Sequence, residues 1–390
     1  MSDIVIAAAK RTPIGAFLGQ FTGFPSPRLG AAAISAALQQ SGIAPGDVGE
    51  VLMGCVLPAN LGQAPARQAA LAAGLPPSTG CTTLNKVCGS GMKAIMLGHD
   101  LIRAGSAGIV VAGGMESMTN APHMAAVRTG IRIGDGALVD HMMWDGLTNP
   151  YDGKSMGVFA ESCADKYHFT REQQDAYATE SVRRAQAAVK DGTFADEITA
   201  VTVPSRKGDV EFSVDETPGK VDPARIPTLK PAFRKDGTVT AASSSSISDG
   251  AAAVVLLSAE DAEARGVKPL ARIVAHATHS QEPHWFTTAP VGAIEKVLKK
   301  TGWQVGDVDL FEVNEAFAVV AMAAMQDLSI PHDKLNVHGG ACALGHPIGC
   351  TGARIVVTLL HAMVHAGAKR GVASLCIGGG EATAIAVERV

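Results

Sequence analysis

The chain has 390 residues, 47% of them hydrophobic and 18% charged, so it is long enough for two or three domains and too apolar to be disordered. Its formal net charge of -4 argues against nucleic-acid binding, which usually needs a clearly basic face. Seven scattered cysteines without a CxxC pair predict neither a disulfide framework nor a structural metal site, and they indicate a reducing compartment.

The N-terminal stretch "MSDIVIAAAKRTPIG" enters a strand-like run almost at once, with no charged leader before a long apolar core. No apolar run approaches the roughly 20 residues that a membrane span requires. These two features predict a cytoplasmic protein without a membrane partner.

Two parts of the chain resemble each other. Residues 41–54, "SGIAPGDVGEVLMG", match residues 301–314, "TGWQVGDVDLFEVN", and the segment from Gly89 parallels the segment from Gly349: a glycine turn, an apolar helix, a strand and a glycine cluster followed by glutamate. We therefore predict two similar α/β halves, 1–118 with 243–268 and 269–390. Alternating strands and helices favour mainly parallel sheets covered by helices.

Residues 119–242 differ from both halves. They begin with a glycine-rich irregular stretch and continue with a strong helix, which a capping box of Thr170 and Gln173 opens. We expect them to form an inserted loop or lid domain.

Cys88, in "TLNKVCGSGMKAIMLG", lies where a helix is predicted to begin. Gly89 and Gly91 would let the backbone turn tightly, and amide donors with the helix dipole would lower the pKa of the thiol. On this segment alone, a nucleophile and a buried structural cysteine remain open.

The second half supplies further candidates. His346 lies between Gly345 and Pro347 in the counterpart of the Cys88 turn, where proline keeps it out of a helix. Cys376 and Asn314 each end an apolar strand, as a core residue or a turn asparagine could also do. Glycine clusters at 113–114 and 378–380 could donate amides to an oxyanion or could be simple turns.

Phosphate-binding signatures do not fit this sequence. The stretch "GSGMKAIMLG" lacks the Lys-Ser or Lys-Thr that closes a Walker loop, and no GxGxxG follows the first strand. A nucleotide hydrolase and a dinucleotide-dependent dehydrogenase are therefore poorly supported.

Five motifs in order, "NKVCGSGMKA", "GGMESM", "NEAFA", "GGACALGHPIGCTGAR" and "CIGGG", resemble the thiolase family, and most closely its acetyl-CoA acetyltransferase branch. The resemblance covers nearly the full chain. It implies the thiolase fold, two pseudo-symmetric βαβαβαββ halves in a layered α-β-α-β-α arrangement with an inserted loop domain, usually assembled as a homotetramer.

The resemblance also implies roles for single residues. Cys88 would be the nucleophile, His346 its base, Cys376 the second acid/base cysteine, and Asn314 and the Gly378 amide would stabilise oxyanions. Two acetyl-CoA molecules would give acetoacetyl-CoA and CoA by a ping-pong mechanism, with reverse thiolysis by the same groups. Coenzyme A and acetyl-CoA would be substrates, with no cofactor or metal bound permanently.

Further residues are predicted, by the same resemblance, to line the coenzyme A path: Leu147, Ser155, Met156, Lys220, Phe233, Ala241, Ser245, Ala316 and Phe317. Ser155 replaces a histidine that is usual in acetyl-CoA-specific relatives. Pro218 stands where an arginine often lies near the adenine, which leaves Lys220, Arg206 or Lys207 to meet the phosphates.

Three alternatives stay open at this stage. A degradative 3-ketoacyl-CoA thiolase would differ only in the width of the acyl pocket. Trp285 and Phe286 would shorten this pocket if their side chains face it, although both could equally be core residues. A ketoacyl synthase would lack the second cysteine, so Cys376 argues against it. A non-catalytic coenzyme A-binding protein is disfavoured because all four catalytic positions are filled.

Overall fold

The computed structural model describes residues 2–390. The first half begins with alternating strands and helices whose buried faces are rich in Ala, Val, Ile and Met. Its elements are β1 (Ile4–Arg11), β2 (Gly15–Ala16), α1 (Ser26–Ser41), β3 (Glu50–Gly54), α2 (Pro65–Ala72), β4 (Gly80–Leu84), α3 (Ser90–Arg103) and β5 (Val110–Ser117).

The middle of the chain forms smaller elements. They are β6 (His123–Met124), β7 (Val139–Asp140), a π-helical turn (Met142–Leu147), α4 (Met156–Tyr167), α5 (Arg171–Lys190), β8 (Val201–Val203) and β9 (Val210–Phe212). β6 pairs with β7 and β8 with β9 as separate two-stranded sheets. The predicted capping box of α5 is confirmed: the Thr170 hydroxyl accepts from the Gln173 amide, and the Gln173 side chain accepts from the Thr170 amide.

The chain then returns to the first half through β10 (Ser248–Ser258) and α6 (Ala259–Ala264) before it enters the second half. The remaining elements are β11 (Ala271–Ser280), α7 (Ala289–Thr301), β12 (Leu310–Val313), α8 (Ala318–Leu328), α9 (Ala341–Leu344), α10 (Ile348–His365), β13 (Arg370–Ile377) and β14 (Glu381–Glu388).

The main sheet has ten strands in the order β12-β13-β14-β11-β1-β10-β5-β3-β4, with β2 alongside β10. Outward from the centre, the first half has the order β1-β10-β5-β3-β4 and the second half has the matching order β11-β14-β13-β12. Only two residue pairs, Val5–Arg272 and Ile6–Ala271, join β1 to β11. The internal repeat is therefore expressed as two sheets that meet along their first strands.

The expectation of mainly parallel sheets is wrong. Parallel pairing is confined to β3–β4, β3–β5 and β12–β13, whereas the other pairs are antiparallel. The three-residue connection 378–380 between β13 and β14 allows only an antiparallel pair, because a parallel pair needs a long crossover.

The layered arrangement implied by the family resemblance is confirmed. Helices α1 and α2 cover the outer face of the first sheet, and α7 and α8 that of the second. Between the sheets lie α3 and α10, which contact each other, and α10 packs against β5 and β10 on one side and β12 and β13 on the other.

The two central helices cross with their backbones in contact. A Cβ atom added to Gly91 of α3 would lie 2.7 Å from the amide nitrogen of Ala353, and one added to Gly352 of α10 would overlap the backbone of Met92. Only glycine allows this approach. It brings the start of α3, preceded by Cys88, beside the start of α10, preceded by His346.

Helix α10 is long and apolar enough, by length and composition, to span a membrane, with a mean hydropathy of 1.3 over 18 residues. The expectation that no apolar run approaches the length of a membrane span is therefore wrong. However, 89% of this window is buried inside the protein. Such burial is what the core helix of a layered fold shows, because it contacts sheets on two sides.

Buried polar contacts fix residues 119–242 to both halves. Arg11 of β1 is fully buried and bonds Glu197 at 2.6 Å and Asp215 at 2.7 Å. In the second half, the buried Glu315 carboxylate accepts from Tyr177 Oη at 2.9 Å and Ser181 Oγ at 2.7 Å, both on α5. These contacts hold the inserted region against both halves of the protein.

Candidate active site

A cavity of about 260 Å³ lies where the inserted region meets the starts of α3 and α10. Most of the residues predicted from the sequence line it: Cys88, Leu147, Ser155, Met156, Phe233, Ser245, Ala316, Phe317, His346, Cys376 and Gly378. Sequence reasoning missed Met118, Met143, Gly146, Gly157, Ser244, Ser246, Ile247 and Ile348. Met118 and Ile348 stand in two of the quoted motifs, whereas the other six belong to none of them.

Phe286 also lines the cavity, whereas its neighbour Trp285 lies elsewhere, under the Lys166 amine at 4.4 Å from the ring centroid. The Phe286 ring is buried and meets Phe159 edge-on. Of the two bulky residues left open by the sequence, only Phe286 lines the cavity.

Cys88 lies on a rigid turn between β4 and α3. The Asn85 side-chain oxygen accepts from the Val87 amide at 2.8 Å, and the Ser90 hydroxyl accepts from the Lys86 amide at 2.8 Å. Val87 has a φ of +46°, a strained conformation for a β-branched residue that is characteristic of functional sites.

The prediction that Gly89 makes this turn is therefore wrong. Gly89 has a φ of -81°, and it is needed for packing, because a Cβ there would overlap the side chain of Ile377 on β13. The glycine allows the Cys88 turn to approach the second half closely.

The expected lowering of the Cys88 pKa is also wrong. Burial raises the pKa of the Cys88 thiol to about 11, although the backbone amides of Gly378 and of Cys88 itself act in the opposite direction. Desolvation disfavours a thiolate more than these two donors favour it. In the resting protein Cys88 is a neutral thiol that needs a base.

Alkylation tests this state of Cys88. Because the thiolate fraction rises tenfold per pH unit below the pKa, we expect the rate of Cys88 modification by iodoacetamide to increase about tenfold per unit from about pH 7 to pH 10. Peptide mass spectrometry measures the rate, with Cys88→Ala as the control for other thiols. A plateau near neutral pH would contradict the buried-thiol state.

His346 is placed by its neighbours in the chain. Gly345 takes a φ of +109°, which favours glycine, and Pro347 begins the entry into α10. The His346 amide donates to the carbonyl oxygen of Ser246 at 3.1 Å. The imidazole is buried, with an exposed fraction of 6% for the residue.

The hydrogen bonds of His346 indicate its tautomer. Nδ1 lies 2.6 Å from the Thr351 hydroxyl, and this hydroxyl donates its single hydrogen to the carbonyl oxygen of Pro347 at 2.9 Å. Nδ1 must therefore be the protonated nitrogen. Nε2 has no hydrogen-bond partner among residues 2–390, so its lone pair is available as a base.

Burial, and secondarily the positive charge of Arg354, lower the pKa of His346 to about 3. The ring is therefore neutral at pH 7. The resting pair is a neutral thiol and a neutral imidazole, and the thiol proton must leave as Sγ attacks.

Replacement of Thr351 by Val removes the group that selects this tautomer at nearly constant volume. We expect kcat to fall about 100-fold with KM little changed, since a misoriented base loses much of its contribution. Thr351→Ser, which keeps the hydroxyl, should restore most of kcat. Steady-state thiolysis kinetics measure both variants; equal losses in Val and Ser would indicate a packing defect instead.

Cys376 and Asn314 lie at adjacent strand ends, as predicted. Cys376 is at the end of β13 and is buried, and burial, with a further contribution from Cys88, raises its pKa well above the usual value. A negative charge on one of the two sulfurs thus disfavours charge on the other.

Asn314 follows β12 and donates its amide to the Ser374 carbonyl oxygen at 3.0 Å. Its side chain is buried and is not among the residues that line the cavity, and neither its nitrogen nor its oxygen finds a partner in the described chain, residues 2–390. A buried side-chain amide without a partner can form hydrogen bonds with a water molecule or a substrate oxygen.

The predicted coenzyme A residues fall into two groups. Ser245 and Ala316 are joined by a backbone hydrogen bond of 3.0 Å, and the Phe233 and Phe317 rings meet edge-on at 5.8 Å. These form one wall of the cavity. Lys220 and Ala241 lie outside it, Lys220 bonded to Glu216 at 2.5 Å, so their roles stay predictions for the outer part of a ligand.

The chain was compared with protein families, curated proteins and solved structures. The family model for the thiolase N-terminal domain matches residues 4–260, and that for the thiolase C-terminal domain matches residues 267–389. The chain belongs to the thiolase family. Cys88 falls in the N-terminal thiolase domain, whereas Asn314, His346 and Cys376 fall in the C-terminal one.

Its relatives include thiolases from distant organisms. An "Acetyl-CoA acetyltransferase" of Pseudomonas aeruginosa is 50% identical over all of both chains, and one of Chromobacterium violaceum is 51% identical over 99% of this chain and 100% of its own. The crystal structure of the Bacillus anthracis acetyl-CoA acetyltransferase superposes with a TM-score of 0.97 at 40% identity, covering 100% of this chain and 99% of the other.

Glu116 is a supporting residue of this thiolase site whose role the sequence did not indicate. Its buried carboxylate accepts from the amides of Val56 at 2.9 Å, Leu57 at 3.1 Å and Gly349 at 2.9 Å. Burial nevertheless raises its pKa to about 7. The side chain joins the first half to the start of α10, three residues after His346.

Proposed function

We propose that this thiolase is an acetyl-CoA C-acetyltransferase, which condenses two acetyl-CoA molecules to acetoacetyl-CoA and CoA and catalyses the reverse thiolysis. The observation that carries the proposal is the meeting of Cys88, His346 and Cys376 in one small apolar cavity. The names of full-length relatives near 50% identity support the same reaction.

In the first half-reaction, His346 Nε2 takes the Cys88 proton as Sγ attacks the thioester carbonyl carbon. The amides of Gly378 and Cys88, which already favour negative charge at Sγ, would donate to the developing oxyanion. Collapse of the tetrahedral intermediate breaks the bond to the CoA sulfur, and His346 returns the proton to the departing thiolate. The product is an acetyl-Cys88 enzyme and free CoA.

In the second half-reaction, His346 Nε2 would first take the proton of the Cys376 thiol, and the Cys376 thiolate would then remove a proton from the methyl carbon of a second acetyl-CoA. Acylation of Cys88 favours the Cys376 thiolate, because the acetylated Cys88 sulfur cannot carry a negative charge. The enolate oxygen would be stabilised by His346 and by a water held on the Asn314 amide. Attack of the enolate carbon on acetyl-Cys88 forms the new carbon-carbon bond and breaks the bond to Cys88 Sγ. The Cys88 thiolate then takes the proton held on His346, which restores the neutral resting pair.

Coenzyme A would enter as a substrate and not as a resident cofactor. The apolar wall of Leu147, Met156, Phe233 and Phe317 suits a pantetheine arm, and Ser245 can offer its hydroxyl there. Ser155, in place of the usual histidine, lines the same cavity with its hydroxyl uninvolved in capping α4.

Phe286 favours a preference for acetyl over longer acyl substrates, because its bulky ring forms part of the cavity wall. Phe286→Val should increase thiolysis of 3-ketohexanoyl-CoA relative to acetoacetyl-CoA by about 10-fold, the usual effect of one or two methylene groups on pocket fit. Trp285→Val is the matched control and should leave the ratio unchanged. An equal change in both variants would remove Phe286 as the determinant of chain length.

The deciding experiment compares CoA-dependent cleavage of acetoacetyl-CoA with that of longer 3-ketoacyl-CoA homologues while the intact protein mass is recorded. Activity confined to the four-carbon substrate with an acetyl adduct on Cys88 would support the proposal. Comparable rates on longer chains would favour the degradative thiolase. A protein that binds acyl-CoA without any adduct would be a non-catalytic binder.

A homotetramer and a cytoplasmic location remain predictions from the family resemblance and from the sequence. An assembly is supported by apolar side chains exposed on the inserted region, among them Ile133, Leu138 and Trp144. Size-exclusion chromatography with light scattering would test the assembly.

A further inference from the structure

A cluster of two histidines and an aspartate lies outside the cavity in which the proposed reaction takes place. His99 and Asp100 are near the end of α3, and His276 is on β11 of the other half. Asp100 Oδ1 lies 3.0 Å from His99 Nδ1 and 3.0 Å from His276 Nε2, and the two nitrogens are 3.3 Å apart.

These three atoms form a nearly equilateral triangle with the dimensions of a metal coordination face. Zinc bonds imidazole nitrogen and carboxylate oxygen at about 2.0–2.1 Å, which places neighbouring ligand atoms of a tetrahedron about 3.3 Å apart. A cation could therefore bind slightly above the triangle with little movement of the side chains. The two rings are perpendicular to each other, at 86°, and each places a nitrogen 3.0 Å from the same Asp100 oxygen.

The exposure of the cluster also suits a metal. The His99 and His276 side chains are only 13% and 15% exposed, whereas Asp100 is 51% exposed. The histidines are thus held in place while solvent can reach the fourth coordination position.

Without a metal, Asp100 Oδ1 can accept an N–H from each ring, one on each lone pair, so hydrogen bonds already hold the three atoms together. A divalent cation would bring the same three atoms together with attraction to each. The Lys300 amine is engaged with the carbonyl oxygen of His276, at 2.8 Å, on the peptide side of that residue.

We propose that His99, Asp100 and His276 form a binding site for a divalent transition metal of the zinc class, with water as the fourth ligand. Imidazole and carboxylate donors favour zinc, cobalt and nickel over magnesium or calcium. The metal would join α3, the helix that follows Cys88, to a strand of the second half. Its role would be structural, because the site lies at the far end of α3 from the nucleophile.

The test uses Co²⁺, whose visible absorption reports nitrogen and oxygen ligands and whose thiolate complexes absorb differently. The full-length protein should bind one Co²⁺ with tetrahedral d–d bands and no thiolate charge transfer, and Zn²⁺ should displace it. His99→Gln and His276→Gln should each weaken binding at least about tenfold. His365→Gln is the matched control, since His365 pairs with Asp196 at 3.3 Å and lies outside the cluster.

Thermal unfolding supplies a second measurement. Zn²⁺ should raise the midpoint of the wild-type protein and of His365→Gln, but not that of the two cluster variants. Acetoacetyl-CoA thiolysis should be unchanged in all of them, so failure of the metal site and failure of the proposed function are distinguishable. Binding that is equal in wild type and both cluster variants, or that has thiolate charge transfer alone, would overturn the proposal.

Discussion

Replacement of Cys88 by Ala should reduce acetoacetyl-CoA thiolysis at least about 10⁴-fold and abolish the acetyl adduct, because it removes the sulfur that attacks the thioester in the proposed reaction. The fold should be retained, since only one sulfur atom is removed from the edge of a core cluster. Rates measured with saturating CoA, and intact mass during turnover, report the two effects.

Cys81→Ala is the matched control for Cys88→Ala. Cys81 is a partly buried free cysteine on β4, seven residues earlier in the chain, and lies outside the cavity. It should keep nearly full activity. Turnover of Cys88→Ala at a rate near that of the control would exclude Cys88 as the nucleophile.

Replacement of Cys376 by Ala should separate the two half-reactions. Cys88 and His346 remain, so the acetyl-enzyme should form from acetyl-CoA and accumulate, while condensation falls by about 10²- to 10⁴-fold with the loss of the base that removes the methyl proton. Exchange of acetyl groups between acetyl-CoA and labelled CoA measures the first half-reaction. Acetoacetyl-CoA formation measures the second.

Cys163→Ala controls for loss of a buried sulfur in the Cys376 variant. Cys163 is on α4 and belongs to the same hydrophobic cluster as Cys376. It should preserve both half-reactions, with a modest loss of stability. Normal condensation by Cys376→Ala, or equal defects in the two variants, would contradict the proposed role of Cys376.

Much of the fold could be predicted because the chain carries its own repeat. The match between 41–54 and 301–314, and that between the segments from Gly89 and Gly349, predicted two similar halves before any contact was known. Strand direction was not predictable in this way. Periodicity indicates that β10 and β14 are strands, whereas their antiparallel neighbours depend on how the connecting segments close.

Some of the functional residues could likewise be predicted from the sequence, whereas others are placed only by the tertiary structure. Cys88, His346, Asn314 and Cys376 could be selected because each stands in a distinctive motif. Residues such as Met143 and Gly157 stand in none of these motifs, and only the packing of the inserted region places them in the cavity. The cluster of His99 and His276 was not visible either, because 177 residues separate its two histidines.

The sequence by itself determined which residues could carry the chemistry and that they belong to two repeated halves. Only the tertiary structure decided their protonation states. A local pattern suggested a lowered pKa for Cys88 from nearby amides, but burial by the second half raises it to about 11 and lowers that of His346 to about 3. Desolvation depends on every atom packed around a group, most of them distant in the chain, so no local motif encodes it.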